Sequence, residues 1–188
     1  MKDKKSIRAV YSQKRNELSF EFKNEFDKFL FEKTVNCDEF KRADVILAFY
    51  PIKNEPDVLP IVRYALNNGK KVCFPVSDAD NYQLTFKFIK HLSDLVTGAY
   101  KIPEPNSEAE IFTDDKNAFC IVPGLVYDRN GYRIGYGKGF YDRFLAEFSG
   151  ISAGLCYEIF LCNELPIEVT DRNVDMIITE REVLYIEK

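Results

Sequence analysis

The first 35 residues carry apolar side chains at the spacing of amphipathic helices. One run is formed by Ile7, Val10, Tyr11 and Lys14, and a second by Phe22, Phe26, Phe29 and Leu30. Neighbouring members mostly lie three or four residues apart, which places them on one face of a helix. The pattern predicts two helices between about residues 4 and 35.

Two short apolar runs follow, and the segment between them has helical features. Residues 44–50 and 71–76 are typical of buried strands. Between them a helix is predicted to start near Asp57 and to stop at Asn67-Asn68-Gly69. This order indicates a βαβ unit, in which the two strands run parallel.

The second half of the chain adds more strands. Leu84, Phe86 and Phe88 alternate with polar residues, and a short helix is predicted around residues 92–96. Further apolar runs occupy residues 118–123, 152–156, 175–179 and 183–186. Together these patterns predict an α/β protein, a single-domain three-layer α/β/α sandwich over residues 1–188 with a mostly parallel sheet. Its ligand cleft should lie beyond the carboxyl ends of the strands.

Residues 123–148 start with an apolar run, continue as a basic, glycine-rich turn and end as a helix. Gly135, Gly137 and Gly139 can adopt backbone angles closed to other residues and let amide groups approach an anion. Arg133 and Lys138 add positive charge. The apolar positions of the following helix are Phe140, Tyr141, Phe144, Leu145 and Phe148. Its positive end would point at the same anion, so the segment predicts a phosphate site.

This loop differs from the two best-known phosphate loops. A Walker A loop needs glycine five positions before Gly137 and a hydroxyl residue after Lys138, but Tyr132 and Gly139 stand there. A dinucleotide fingerprint needs glycine at Phe140. A plain glycine turn without a ligand is the alternative, and the two cations favour the phosphate interpretation over it.

Composition narrows the class of protein. The chain has 188 residues, 46% of them hydrophobic, and a formal charge of −4, which suits one domain and argues against a nucleic-acid partner. Five cysteines without a CxxC pair are typical of a reducing, cytoplasmic protein. No apolar stretch approaches the roughly 18 residues of a membrane span, so we expect no membrane partner.

The chain has a single histidine, His91, so it lacks the residues for a Ser-His-Asp triad or a His-rich zinc site. Lysine, arginine, carboxylates, backbone amides and a hard metal remain, and this set suits phosphoryl transfer.

Asp142 and Asp175 are candidate metal ligands, although an acid at a helix start and an acid at a strand edge are both common without a metal. Lys4 and Arg8 lie four residues apart and could hold a polyphosphate or form a solvated basic arm. Glu55, in a loop after a buried strand, could orient a ligand or simply face water.

These features together resemble the 5-formyltetrahydrofolate cyclo-ligase family over nearly the whole chain. The motifs are Lys4 and Arg8, Asn54-Glu55-Pro56-Asp57, residues 98–105 ending in Ile-Pro-Glu-Pro, residues 123–143, and residues 174–180. The segment Arg133-Ile-Gly-Tyr-Gly-Lys-Gly-Phe-Tyr-Asp-Arg143 is the most specific of them.

The resemblance implies a monomeric enzyme that uses ATP and Mg²⁺ to convert 5-formyltetrahydrofolate to 5,10-methenyltetrahydrofolate, releasing ADP and phosphate. It assigns ATP contacts to Lys4, Arg8, Arg133, Ile134, Gly135, Tyr136, Gly137, Lys138, Gly139, Phe140 and Tyr141, with Lys138 and Arg133 catalytic. It assigns folate contacts to Tyr50, Glu55, Tyr136, Gly137, Lys138, Gly139 and Phe140, and the metal to Asp142 and Asp175.

Two positions depart from the family pattern. Phe140 stands where members often carry tyrosine, and Tyr136 where they often carry a basic residue, so one hydroxyl and one charge are absent from the loop. Sugar-phosphate isomerases and CoA transferases also use α/β folds of this kind, and a nucleotide sensor could keep the glycine loop. Those alternatives stay open on the residues alone.

Overall fold

The computed structural model describes residues 3–187, apart from the side chain of Ala99. The helices are α1 Lys4–Asn16, α2 Phe20–Asn36, α3 Asp38–Arg42, α4 Leu59–Asn67 and α5 Phe140–Glu147. The first strands are β1 Val45–Leu47, β2 Lys71–Asp78, β3 Gln83–Ile89, β4 Leu95–Thr97, β5 Pro103–Pro105 and β6 Ala118–Val122. The later strands are β7 Val126–Asp128, β8 Arg133–Ile134, β9 Ile151–Leu155, β10 Leu161–Cys162, β11 Met176–Ile178 and β12 Val183–Tyr185. Short 3₁₀ turns occupy Leu92–Asp94, Ala99–Lys101 and Glu158–Phe160.

The central sheet has seven strands in the order β12-β11-β9-β6-β1-β2-β3. The five inner strands run parallel, and the edge strands β3 and β12 run antiparallel to their neighbours. The strand order reverses at β1, which has β2 on one side and β6 on the other. Such a switch point leaves a crevice at the carboxyl ends of the two diverging strands.

The helices cover both faces of this sheet. Because parallel crossovers are right-handed, α4, which joins β1 to β2, and α5, which precedes β9, lie on opposite faces. The ring of Tyr64 on α4 packs against Phe31 of α2 and Phe40 of α3, with centroids 5.8 Å and 6.3 Å apart. On the other face Phe144 of α5 packs on Phe86 of β3 at 4.6 Å. The predicted three-layer sandwich with a mostly parallel sheet is confirmed.

A hairpin between β6 and the glycine-rich turn departs from the prediction. The strands β7 and β8 pair antiparallel, and the Asp128 carboxylate accepts the amide hydrogens of Asn130 and Tyr132 at 3.0 Å each. Gly131 completes the tight turn with a φ of +84°. Arg133 therefore lies on a strand and enters the glycine turn from it, whereas the sequence pattern placed it inside the turn.

The helix α1 attaches to this hairpin through a small second core. Val126, Ile134 and Leu165 are buried there, and Ile7 and Tyr11 of α1 pack against them. The Asp3 carboxylate caps the helix by accepting the amide hydrogen of Ser6 at 2.6 Å. One face of α1 is thus held beside the carboxyl edge of the sheet.

Cysteines serve as core residues in this fold. Cys73, Cys120 and Cys156 are fully buried, and burial raises the pKa of each thiol. All five cysteines are free within the described part of the chain. Within residues 3–187, no helix combines the length and apolar character needed to cross a bilayer.

Candidate active site

A cavity of about 460 Å³ opens at the carboxyl edge of the sheet, at the switch point between β1 and β6. Residues that follow β1 and β6, the glycine-rich turn and one face of α1 form its walls. Every predicted site residue except Asp175 lines it: Lys4, Arg8, Tyr50, Glu55, Arg133, Ile134, Gly135, Tyr136, Gly137, Lys138, Gly139, Phe140, Tyr141 and Asp142. The structure thus brings together residues that lie more than a hundred positions apart in the chain.

The glycine-rich turn owes its shape to two left-handed glycines. Gly137 has a φ of +91° and Gly139, the residue that precedes α5, has a φ of +69°. A Cβ on Gly137 would lie 3.2 Å from the guanidinium carbon of Arg8. The turn therefore needs glycine at both positions, and the absence of a side chain at Gly137 lets Arg8 approach the backbone.

We expect Gly137→Ala to weaken the loop and ATP use together. The left-handed backbone should cost about 1–2 kcal/mol of unfolding free energy, and the crowding of Arg8 should raise the KM for ATP. Gly69→Ala is the matched control, because Gly69 also has a positive φ, of +77°, but has open space around the site of its missing Cβ and lies outside the cavity, so it should cost stability without changing the KM for ATP. Denaturant unfolding and ATP kinetics measure the two effects, and equal ATP kinetics in the two variants would contradict this account.

Among the described residues, five cations line the cavity: Lys53, whose ammonium lies 4.7 Å from the centre of the Tyr136 ring, and the four predicted residues Lys4, Arg8, Arg133 and Lys138. The Lys4 ammonium lies 2.6 Å from the Asp171 carboxylate, and the Arg8 Nε–H donates to the Gly135 carbonyl at 2.9 Å. The Arg133 Nη1–H donates to the Arg172 carbonyl at 2.7 Å. Lys138 is exposed, with its ammonium 5.4 Å from the centre of the Tyr82 ring. Three of the four are held by backbone or carboxylate partners, and Lys138 projects from the turn.

The cavity lining also contains a buried carboxylate. Glu55 is 4% exposed, and its Oε2 accepts the amide hydrogen of Ile52 at 3.0 Å. Burial raises the pKa of Glu55, while the Ile52 hydrogen bond and the Arg15 charge oppose that rise. Desolvation and the nearby Glu55 charge raise the pKa of Tyr136. Tyr50, which lies after β1, lines the same cavity.

Aromatic rings surround the glycine turn at the cavity. The Phe140 ring lies 5.9 Å from that of Tyr82 and 6.4 Å from that of Tyr100. The Tyr141 hydroxyl is buried without a hydrogen-bond partner among the described residues, and burial raises its pKa well above the ordinary value. These groups offer flat, apolar surfaces for a planar ligand, with one buried donor.

The two predicted metal ligands are not brought together. Asp142 lines the cavity, with its Oδ1 3.1 Å from the Arg133 Nη2. Asp175 accepts the amide and hydroxyl hydrogens of Ser152 at 2.8 Å and 2.6 Å, at the start of β9. It precedes β11 at the amino edge of the sheet, whereas the cavity opens at the carboxyl edge. Between residues 3 and 187, no group of three or more His, Cys, Asp or Glu side chains is arranged to hold a metal ion.

Several residues near the site escaped the sequence patterns. Asp171, which pairs with Lys4, and Glu104, which is 6% exposed, both line the cavity. Arg15 is 1% exposed, and its Nη1 lies 4.0 Å from Oε1 of Glu55. The sequence pattern indicates only that Arg15 belongs to a basic segment. Glu104 could have been found from its Ile-Pro-Glu-Pro motif, whereas no local signal marks Asp171 or Arg15.

A basic, glycine-rich turn at the switch point of a mostly parallel sheet defines an α/β protein with an anion-binding loop. The sequence model of the 5-formyltetrahydrofolate cyclo-ligase family matches residues 1–180. The chain therefore belongs to the 5-formyltetrahydrofolate cyclo-ligase family, and the resemblance seen in its motifs is confirmed.

Individual relatives agree over most of their length. The 5-formyltetrahydrofolate cyclo-ligase of Mycoplasma genitalium is 30% identical over 182 residues, spanning 95% of this chain and 98% of the relative. The enzyme of that name from Escherichia coli K12 is 26% identical over 178 residues, spanning 91% and 97%. The NMR structure of Aquifex aeolicus 5,10-methenyltetrahydrofolate synthetase superposes with a TM-score of 0.87 at 29% identity, covering 98% of this chain and 93% of that one.

Proposed function

We propose that this chain is a ligase that converts ATP and 5-formyltetrahydrofolate to 5,10-methenyltetrahydrofolate, ADP and phosphate. One observation carries the proposal beyond family membership: the glycine-rich turn, several cations and a buried carboxylate line a single cavity. The cations suit a polyphosphate, and the carboxylate suits a planar ring with amide-type donors. Two ligands can therefore meet in one cavity.

The phosphates of ATP would occupy the glycine turn. Arg8 uses its Nε–H for the Gly135 carbonyl, so its Nη groups would take phosphate oxygens. The Lys4 ammonium would either leave the Asp171 carboxylate for a phosphate or contact both. The Arg133 guanidinium, which lies beside Asp142, would also contact a phosphate. The amide groups between Gly135 and Tyr141 and the start of α5 would add partial positive charge.

The folate would lie beside Glu55. Glu55 would accept the hydrogens of the pterin amide and amino groups, and the Tyr50 ring would pack on the pterin. The turn from Tyr136 to Phe140 would touch both ligands, because it lines the cavity and its Tyr136 hydroxyl interacts with Glu55.

Catalysis would consist mainly of positioning and charge neutralisation. A formamide oxygen is a weak nucleophile, so it must meet the γ-phosphorus in line at a site that stabilises the developing charge. The formyl oxygen attacks the γ-phosphate and ADP leaves, and N10 then closes onto the formyl carbon as phosphate departs. Lys138 and Arg133 are the cations that we assign to the transferring phosphoryl group.

Magnesium would reach this site with the nucleotide. Mg²⁺ usually binds through one or two carboxylates together with substrate phosphates and water, so it needs no dedicated cage of protein ligands. Asp142 lies on the cavity wall beside Arg133 and is the carboxylate that we assign to this role, with Asp171 nearby on the Lys4 side. The metal would supply charge neutralisation to the phosphates. Asp175 lies at the amino edge of β11, away from the cavity, so it would act on the metal only indirectly.

We also propose a monomeric protein of the cytoplasm. The five free thiols, three of them buried, support a reducing compartment. Size-exclusion chromatography with light scattering tests the monomer, and a dimer mass would contradict it.

The reaction is tested by absorbance. Purified protein is mixed with 5-formyltetrahydrofolate, Mg²⁺ and ATP, and the methenyl chromophore is followed, with ATP omitted as the control. ATP-dependent appearance of the chromophore is the expected result. Its absence from folded protein that binds ATP would contradict the proposal and favour a different acceptor or a nucleotide sensor.

A further inference from the structure

A buried arginine stands behind the wall of the cavity. Arg15 lies in the last turn of α1, is 1% exposed, and is among the largest fully buried side chains of residues 3–187. It does not belong to the cavity lining. Burial of a full positive charge is rare unless that charge has a specific partner, so its surroundings call for a role.

We propose that Arg15 is a positioning residue, which fixes the Glu55 carboxylate and the backbone at Gly124 in one rigid arrangement and keeps that carboxylate charged toward the folate. This inference rests on the function proposed above. It assigns a role to a residue that would touch neither substrate.

The guanidinium is anchored on one side by the backbone. Its Nη2–H groups donate to the carbonyls of Gly124 and Leu125 at 2.8 Å and 3.0 Å, in the loop that follows β6. Its flat face lies over the Phe160 ring, 4.9 Å from the centroid. The backbone carbonyl of Arg15 also accepts the Asn54 amide hydrogen at 3.3 Å. Arg15 therefore joins the loops after β6 and β1, which form two walls of the cavity.

The other side of the guanidinium is directed to Glu55. The Nη1 atom lies 4.0 Å from Glu55 Oε1, and the Tyr136 hydroxyl interacts with both side chains. Nη1 and Nε nevertheless make no hydrogen bond of ordinary length and angle among the described residues, which is costly for buried donors. A small closure of the pair, when a ligand takes the remaining carboxylate positions, would satisfy the Nη1 donor.

The charges around Glu55 come from several elements. Arg15 on α1 and Lys23 on α2 are cationic, and the Tyr136 hydroxyl faces Glu55 from the glycine turn. Tyr127 and Tyr141 also feel its charge from β7 and α5. Lys23 is engaged elsewhere, since its ammonium donates to the Glu55 carbonyl at 2.5 Å and to the Tyr157 hydroxyl at 2.9 Å. Of these groups, Arg15 is therefore the cation placed to act on the Glu55 carboxylate itself.

The test is the pair of variants Arg15→Met and Arg15→Lys, measured as folate and ATP kinetics across pH. Arg15→Met keeps an apolar chain over Phe160 and removes the charge. It should raise the folate KM on the order of tenfold and leave the ATP KM within about twofold. Without the Arg15 charge the pKa of Glu55 rises, so the acid limb of folate kcat/KM should move to higher pH.

The control separates positioning from simple structural support. In a Glu55→Gln background, Arg15→Met should raise the folate KM several-fold less than it does with Glu55 present, because only its hold on the Gly124 loop remains to be lost. Arg15→Lys keeps the charge but cannot reach both carbonyls and Glu55, so it should raise the folate KM with the acid limb in place. If Arg15→Met does not fold, the folate KM of Arg15→Lys tests the inference instead.

An unchanged acid limb and folate KM in folded Arg15→Met would overturn the inference, as would a wild-type folate KM in Arg15→Lys. Failure of the wild-type chain to form the methenyl chromophore would instead overturn the proposed function. The two failures are therefore distinguishable, because the first requires an active wild-type enzyme.

Discussion

Lys138→Ala should lose about 100-fold or more in kcat/KM while the protein stays folded. Lys138 is exposed and projects from the glycine turn between Gly137 and Gly139, so its charge faces the cavity and supports little of the core. The contact of its ammonium with the Tyr82 ring, at 5.4 Å, is worth about 0.5–1 kcal/mol at most. Steady-state formation of the methenyl product and thermal unfolding measure the two quantities.

The matched control for this prediction is Lys28→Ala. Lys28 is an exposed lysine on α2 and does not line the cavity, so its removal changes net charge by the same amount without touching the site. It should keep wild-type kinetics. Near-normal turnover in Lys138→Ala, or an equal loss in both variants, would refute the assignment of Lys138 to the transferring phosphoryl group.

Glu55→Gln should raise the folate KM by about 10–100-fold and leave ATP affinity little changed. The carboxylate lines the cavity, and an amide in its place offers one acceptor oxygen and two unwanted donors. Because Arg15 then loses its buried partner, the free energy of unfolding should fall by about 1–3 kcal/mol. Separate titrations of folate and ATP test the split.

Glu32→Gln serves as the control, since Glu32 is exposed on α2 and outside the cavity. If Glu55→Gln changed the ATP KM and left the folate KM alone, Glu55 would have been given the wrong ligand. A loss of stability without any kinetic change would make it a structural residue only.

The sequence predicted the parts of the fold that depend on local pattern. The helical runs of α1 and α2, the βαβ unit of β1, α4 and β2, and the start of α5 at Phe140 all lie close to their predicted positions. Each of them has a periodicity or a stop signal written within a few neighbouring residues. The glycine turn was recognised for the same reason.

The β7–β8 hairpin and the pairing of distant side chains could not be predicted from local sequence patterns. The strand β8 has only two residues, and the Asn130-Gly131 turn signal merged with the glycines that follow it. Arg15 reaches Glu55 forty residues away and Gly124 more than a hundred residues away. Such partners are fixed by tertiary packing, which leaves no periodic signal along the chain.

The helix α1 supplies Lys4 and Arg8 to the cavity and Arg15 to Glu55, and it is attached through the small second core, through Tyr11 on the main core and through the buried Arg15. Under the proposed function, both substrates need this one helix to be seated. A ligand that fixes the seating of α1 also fixes the groups that face the other ligand, so each substrate should bind more tightly in the presence of the other. Synergy between ATP and folate would then follow from how one helix is attached, without any contact between the two ligands.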